Sequence, residues 1–190
     1  MQKIDIFKSP LFYSNFKFKN LKRIKTFIKD LEDRNKVLNL FQTNGKLLYV
    51  DRKKYMPSEM IDLFKHIDSC LFSIQDQMSI KNCIRIHDSY FTKNNPNLNK
   101  NELADLESCF KGFYFFDVRT DFKLNFKNTK DMVHHMKYMR TYKDIAYNSF
   151  DFSTKGEDSV LLIVPSWVET YFDMMYDDQH VFNFNFRMIE

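Results

Sequence analysis

The feature that most restricts the fold is one apolar row. Behind Pro57, the residues Met60, Phe64, Ile67, Leu71, Ile74 and Met78 recur at spacings of 4-3-4-3-4. Steps of three and four return to one face of an α-helix, and proline is favoured at a helix start, so the row predicts a long helix over about 57–77. A helix with a single apolar stripe has to lie along another apolar surface. A second helix is predicted over about 21–34. There Leu21, Ile24, Phe27, Ile28 and Leu31 keep the same rhythm, Asn20 offers an N-cap, and Lys22, Arg23, Lys25 and Lys29 take the other faces.

The surface those helices need is written mainly after residue 80. Cys83-Ile-Arg-Ile86, Gly112-Phe-Tyr-Phe-Phe116, Phe122-Lys-Leu-Asn-Phe126, Val160-Leu-Leu-Ile-Val164 and Val181-Phe-Asn-Phe-Asn-Phe186 are short β-type runs. The last alternates strictly, which sets Phe182, Phe184 and Phe186 on one face. Earlier, residues 3–18 read as extended chain in which Ile4, Ile6, Phe16 and Phe18 hold a two-residue period around Pro10. Asn44-Gly45 reads as a turn between the runs 37–41 and 47–50. Residues 94–101, rich in Asn, form a loop, and no internal repeat or linker stands out. The expected architecture is one α+β domain over 1–190. It is an antiparallel sandwich, with sheet mainly over 80–186 and the two helices packed on the outside of one sheet.

Composition removes several classes of function. At 190 residues the chain can bury roughly 70% of its unfolded surface without a covalent staple. With 44% hydrophobic and 28% charged residues it is not a disordered chain, and no uncharged apolar stretch nears the ~20 residues of a membrane span. Twenty-one Phe against three Gly fits a Lys/Asn/Phe/Ile-rich coding bias. The net charge of +4 is interspersed rather than clustered. Cys70, Cys83 and Cys109 are odd in number and never paired as C-x-x-C, so they read as reduced, buried thiols. No G-x-S-x-G elbow, phosphate-binding glycine loop or H-E-x-x-H is present. The N-terminus lacks a leader pattern, so synthesis in a cytoplasm is expected.

Several segments together resemble the phage and bacterial 2-oxoglutarate/iron(II) oxygenase-like proteins. Gly156-Glu-Asp-Ser-Val-Leu-Leu-Ile-Val-Pro-Ser-Trp167, followed by Phe182-Asn-Phe-Asn-Phe186, is similar to that family's "G-D-L-(apolar)-F-P-S-W … F-N" ending. Ile6-Phe-Lys-Ser-Pro10 resembles its "(I/L)-F-P-T-P" start. Ile86-His-Asp-Ser-Tyr-Phe-Thr-Lys93 resembles its "S-W-x-N" strand, and Lys111-Gly-Phe-Tyr-Phe115 its "S-G-V-Y-Y". The resemblance implies a double-stranded β-helix, which is a jelly roll with supporting helices, in agreement with the pattern read from the residues.

The resemblance also implies a chemistry: two His and one carboxylate on iron, and a cation for the cosubstrate's distal carboxylate. The distal His is expected three residues after Trp167, where Thr170 stands. The proximal ligands are expected in the loop before Gly112, where residues 97–110 supply Glu102, Asp105 and Glu107 but no His. The Arg is expected near Gln179 or His180. The remaining metal candidates are His87, His134 and His135, and the cofactor-site candidate is His180. His87 and Asp88 sit on a strand, where neighbours point to opposite faces. His134-His135 reads more simply as a surface or turn pair, and His66 as a boundary residue of the long helix. The carboxylates Glu157, Asp158, Asp173, Asp177 and Asp178 read as solvated loop charge.

The leading expectation is therefore a non-catalytic oxygenase-like jelly roll with no cofactor, serving as a protein-interaction or structural module. A phage or virus particle is one setting, with a protein partner or self-association, in the cytoplasm of a host or in the virion, and away from membranes. The alternative is an active oxygenase using Fe(II) and 2-oxoglutarate through unusual ligands. A third reading is a nucleic-acid-binding module using Lys17, Lys19, Lys22, Arg23, Lys25 and Lys29 with Phe16 and Phe18 as stacking rings. Helical spacing explains those lysines as the solvated face of a packed helix. A core position is expected for Trp167, with Leu161 and Ile163 on one core-facing side.

Overall fold

The computed structural model describes residues 1–6, 9–37, 46–50, 56–93, 108–116, 123–127, 151–155, 158–173 and 180–189. Two helices and ten strands are present among them. In order they are β1 (Gln2–Ile6), β2 (Ser9–Asn15), α1 (Leu21–Val37), β3 (Lys46–Tyr49), α2 (Ser58–Gln77), β4 (Cys83–Lys93), β5 (Phe110–Phe115), β6 (Lys123–Lys127), β7 (Asp151–Lys155), β8 (Val160–Pro165), β9 (Glu169–Asp173) and β10 (His180–Ile189). The strands form a seven-stranded sheet in the order β1-β2-β8-β5-β10-β4-β3 and a three-stranded sheet in the order β7-β6-β9. Every pairing is antiparallel.

The helices sit where their stripes direct them. Asn20 caps α1: its Oδ1 accepts the Arg23 backbone N–H at 3.2 Å. Pro57 is the N-cap of α2. Ile24, Phe27 and Ile28 of α1 and Met60, Leu63, Phe64, Ile67, Leu71 and Ile74 of α2 are buried in one cluster. They meet Phe12, Phe91, Tyr114, Leu161, Ile163, Phe182, Phe184 and Phe186 from one face of the large sheet. The three Phe of β10 thus share the helix-facing side, as alternation requires, and Phe64 meets Phe182 and Phe184 edge-on at 5.9 and 6.1 Å. Tyr114 closes the layer by donating its hydroxyl to the Phe16 carbonyl at 2.6 Å.

The opposite face of the large sheet packs on the small one. Leu11, Tyr90, Phe113, Phe115, Val160, Leu162, Val164 and Val181 meet Leu124 and Phe126 of β6, with Val168 beside them. This is the sandwich interior, the α+β jelly roll that the sequence pattern predicts.

Three particulars differ from the sequence reading. First, the large sheet recruits β1, β2 and β3, so strands before residue 80 complete it. The extended stretch ends at Asn15, with Phe16 and Phe18 beyond it, and Val37 belongs to α1 rather than to a strand. The Asn44-Gly45 turn lies outside the described residues. Second, β7 and β9 were not legible: Asp151-Phe-Ser-Thr-Lys155 and Glu169-Thr-Tyr-Phe-Asp173 are short and half polar. Third, Trp167 is 43% exposed rather than core. β8 ends at Pro165, and the chain turns there with the Val168 N–H donating to the Pro165 carbonyl at 3.1 Å. The turn sends Val168 inward, at 2% exposure, and Trp167 outward. Leu161 and Ile163 do share the helix-facing core. Among the described residues no helix is long and apolar enough to cross a membrane.

Candidate functional site

Cross-strand partners share a face, so the registers of β8, β5, β10 and β4 lay out the sandwich interior as rows. One row is Val160, Phe115, Val181 and Thr92; the next is Leu162, Phe113, Asn183 and Tyr90; the third is Val164, Lys111, Asn185 and Asp88. The interior is apolar along β8 and turns polar across β5, β10 and β4. Facing it from the small sheet are Leu124 and Phe126, and Thr170 pairs with Phe126 in register. Polar side chains therefore enter this space at Thr92, Lys111, Asn183, Asn185 and Thr170, each no more than 7% exposed.

Their chemistry is uneven. The Asn183 amide nitrogen reaches the Val181 carbonyl at 2.9 Å, Thr92 Oγ1 at 3.0 Å and the Tyr90 carbonyl at 3.4 Å. The Asn183 Oδ1 and Thr170 Oγ1 are buried without a hydrogen-bond partner, an arrangement that costs free energy unless a polar group meets them. Lys111 is 4% exposed. Burial pushes its ammonium down to about 8, against the opposing pull of the Glu169 carboxylate. The sequence reading passed over Lys111. Its signal was a lone cation inside Phe110-Lys-Gly-Phe-Tyr-Phe115, a strand buried at every position.

His87 stands beside Asp88 at the part-exposed end of the third row, and the other described histidines lie elsewhere. The register between β4 and β10 shifts between Asn185 and Phe186, which leaves His87 as an extra residue opposite this step. That bulge overturns the expectation of opposite faces: His87 Nε2 lies 3.6 Å from Asp88 Oδ2, both side chains about two-fifths exposed. His180 turns its Nε2 to Glu32 Oε1 of α1 at 3.3 Å, on the helix side shared with Phe182. His134, His135, Gln179, Glu102, Asp105 and Glu107 lie outside the described residues, as do Glu157, Asp177 and Asp178.

An iron site of the kind the resemblance implies needs three converging ligands. Among the described residues no three His, Cys, Asp or Glu side chains come together. The place of the distal His is filled by the buried Thr170 hydroxyl, which is not an imidazole donor. The described residues do not fit that metal, whereas Lys111 does fit a carboxylate.

No protein-family model matches the sequence, and no curated protein is similar to it in sequence. Solved structures are similar in fold. A prolyl-4-hydroxylase from Pseudomonas putida superposes with a TM-score of 0.56 at 6% identity, over 94% of this chain and 92% of that one. HygX from Streptomyces hygroscopicus, solved with nickel and 2-oxoglutarate bound, gives 0.52 at 9% identity, over 93% and 82%. An oxidoreductase of the 2OG-Fe(II) oxygenase family from Burkholderia pseudomallei gives 0.51 at 6% identity, over 86% and 77%. The order of strands, the two-sheet interior and these superpositions agree: the chain has the jelly-roll fold of the 2-oxoglutarate/iron(II) oxygenase structures.

Proposed function

We propose that this chain is a non-catalytic oxygenase-like jelly roll that works by binding, as a protein-interaction or structural module. The observation that carries the reading is Thr170. It is 2% exposed, faces the sandwich interior beside Phe126, and stands where the resemblance requires a metal-binding imidazole. An alcohol in that position leaves a facial triad without one of its nitrogen donors.

A binding role draws support from the outer side of α2, where Ile61 is 42% and Phe72 60% exposed. Eleven positions apart, they lie on one side of the helix about 16 Å from each other. That spacing suits a protein partner or a second copy of the chain, in a host cytoplasm or in a particle. The basic residues of α1 do not favour nucleic acid, because Ile24, Phe27 and Ile28 are committed to the core and the cations are left as a solvated face.

A second reading, an oxygenase with unusual ligands, is favoured by one observation only. Lys111 is a cation on the interior face, as a cosubstrate carboxylate would need. When bound, iron and 2-oxoglutarate would supply oxidising chemistry; of the described residues Lys111 would orient the carboxylate.

One melting experiment separates the two readings. A ligand specific for the folded state, at a hundred times its dissociation constant, adds about 2.7 kcal/mol of stability. We expect no rise in Tm when manganese and excess 2-oxoglutarate are added anaerobically, beyond manganese alone. A clear rise that disappears on replacing His87, His134, His180 or Lys111 would overturn the non-catalytic reading and establish the oxygenase.

A further inference from the structure

Helix α2 carries a second row on the side turned away from its buried stripe. Ile61, Lys65, Asp68 and Phe72 follow one another at spacings of 4-3-4, which sets them within about 60° of arc. Ile61, Lys65 and Phe72 are exposed and Asp68 is half-buried. A single exposed apolar residue is ordinary. Here two of them bracket a cation and an anion, and the row continues to a charged group at each end. At the N-terminal end stands the exposed Ser58, whose Oγ accepts from the Arg23 Nη1 of α1 at 3.4 Å. At the C-terminal end stands the exposed Asp76.

This row is complementary to its own reverse. Its midpoint falls between His66 and Ile67. When a second copy of α2 lies antiparallel across that midpoint, Ile61 comes level with Phe72 of the second copy and Lys65 with its Asp68. Asp76 arrives within one residue of Ser58, where Arg23 supplies a cation. Two-fold symmetry makes each of these contacts twice. A parallel pair would instead set Lys65 on Lys65 and Asp68 on Asp68, and would align the two helix dipoles. An anionic lipid surface suits the row poorly, because Asp62, Asp68 and Asp76 outnumber Lys65 on this side of the helix.

Resting on the binding role argued above, we propose that the outer side of α2 is a homodimer interface in which two copies of the helix pack antiparallel about a two-fold axis. Ile61 and Phe72 form an apolar contact at each end, and the two Lys65 and two Asp68 side chains form a neutral centre. One helix per copy covers less than the ~800 Å² per partner of a standard interface, so the dimer is weak and forms at micromolar and higher concentrations.

Sedimentation of the purified full chain from about 5 to about 500 μM should show a reversible rise from the 23.1 kDa monomer toward twice that mass. Phe72→Ser, at an exposed position, should weaken the dimer by about tenfold or more. The register is tested by reversing charges. Lys65→Glu alone sets Glu against Asp68 of its twin, and Asp68→Lys alone sets Lys against Lys65, so each variant by itself should associate less than the wild type. An equimolar mixture of the two should recover the dimer, because both central contacts then join unlike charges. A wild-type chain that stays monomeric throughout this range would overturn the proposal. So would a dimer indifferent to Phe72→Ser, or a mixture that associates no better than its components. Such failures leave the non-catalytic reading standing, since that is decided by the response to manganese and 2-oxoglutarate.

Discussion

Lys111→Met isolates the energetic cost of the most unusual side chain in the sandwich. Lys111 is 4% exposed, and burial lowers its ammonium from the ordinary 10.5 to about 8. The folded chain therefore binds this proton less tightly than the unfolded chain does. Below pH 8 the full penalty of charging a buried amine falls on the folded state. Between pH 8 and 10.5 the unfolded chain still holds the proton while the folded one has released it, so stability rises with pH, and above 10.5 the penalty is gone. A displacement of that size is worth about 3 kcal/mol. Methionine has a similar length and no charge, so the variant should be more stable than the wild type at pH 7 by up to about 3 kcal/mol. For a chain of this size that is on the order of 5–10 °C in Tm. Urea unfolding at pH 7, 8, 9 and 10 should show the advantage shrinking step by step. Tyr114, whose hydroxyl is held above its ordinary value by burial, loses stability as pH rises beyond 10. It does so in both proteins and cancels from the comparison. A variant less stable than the wild type at pH 7, or one whose pH slope matches it, would refute the argument. Lys111 would then be stabilised by its surroundings rather than strained by them.

Two further substitutions test the packing on either side of the large sheet. A methyl group on Gly112 would lie 2.9 Å from Cε2 and 3.1 Å from Cζ of the fully buried Phe186. Overpacking of that kind costs about 1–3 kcal/mol, and the stiffer unfolded chain returns about 0.4–1 kcal/mol. Gly112→Ala should therefore lose about 1–2 kcal/mol in urea titrations, and Gly112→Ala/Phe186→Leu should recover part of it. An unchanged midpoint for Gly112→Ala would show that the Phe186 ring moves aside freely. Trp167→Ala should cost about 1 kcal/mol or less, well short of the ~3–5 kcal/mol of a core aromatic; a loss above 3 kcal/mol would place the indole in the core after all.

Long periodic signals were readable without coordinates. The 4-3-4-3-4 row of α2 fixed both the helix and the face it buries, and the alternation of Phe182, Phe184 and Phe186 fixed which side of β10 meets it. Such repeats survive in any tertiary setting, because they answer to the geometry of one element. β7 and β9 carried too few apolar residues to announce themselves, and their pairing with β6 comes from residues far away in the chain. The site was less legible still. That His87 and Asp88 lie together depends on a bulge, which is a property of how β4 registers on β10 rather than of either strand.

The sequence by itself determined the class of the fold, the two helices, the helix-facing Phe ladder and the Thr at position 170. Each of these is local or follows from one element's period. Only the tertiary structure decided that Thr170 and Asn183 carry orphaned oxygens in the sandwich interior and that Lys111 lies buried in the row between Val164 and Asn185. The same holds for Trp167, which points out to solvent, and for Ser14, His66 and Cys70, which meet at one nitrogen across 52 positions of chain. Burial and convergence arise when layers close over one another. A residue's solvation and partners are set by chain that is remote in sequence, and no local pattern encodes them.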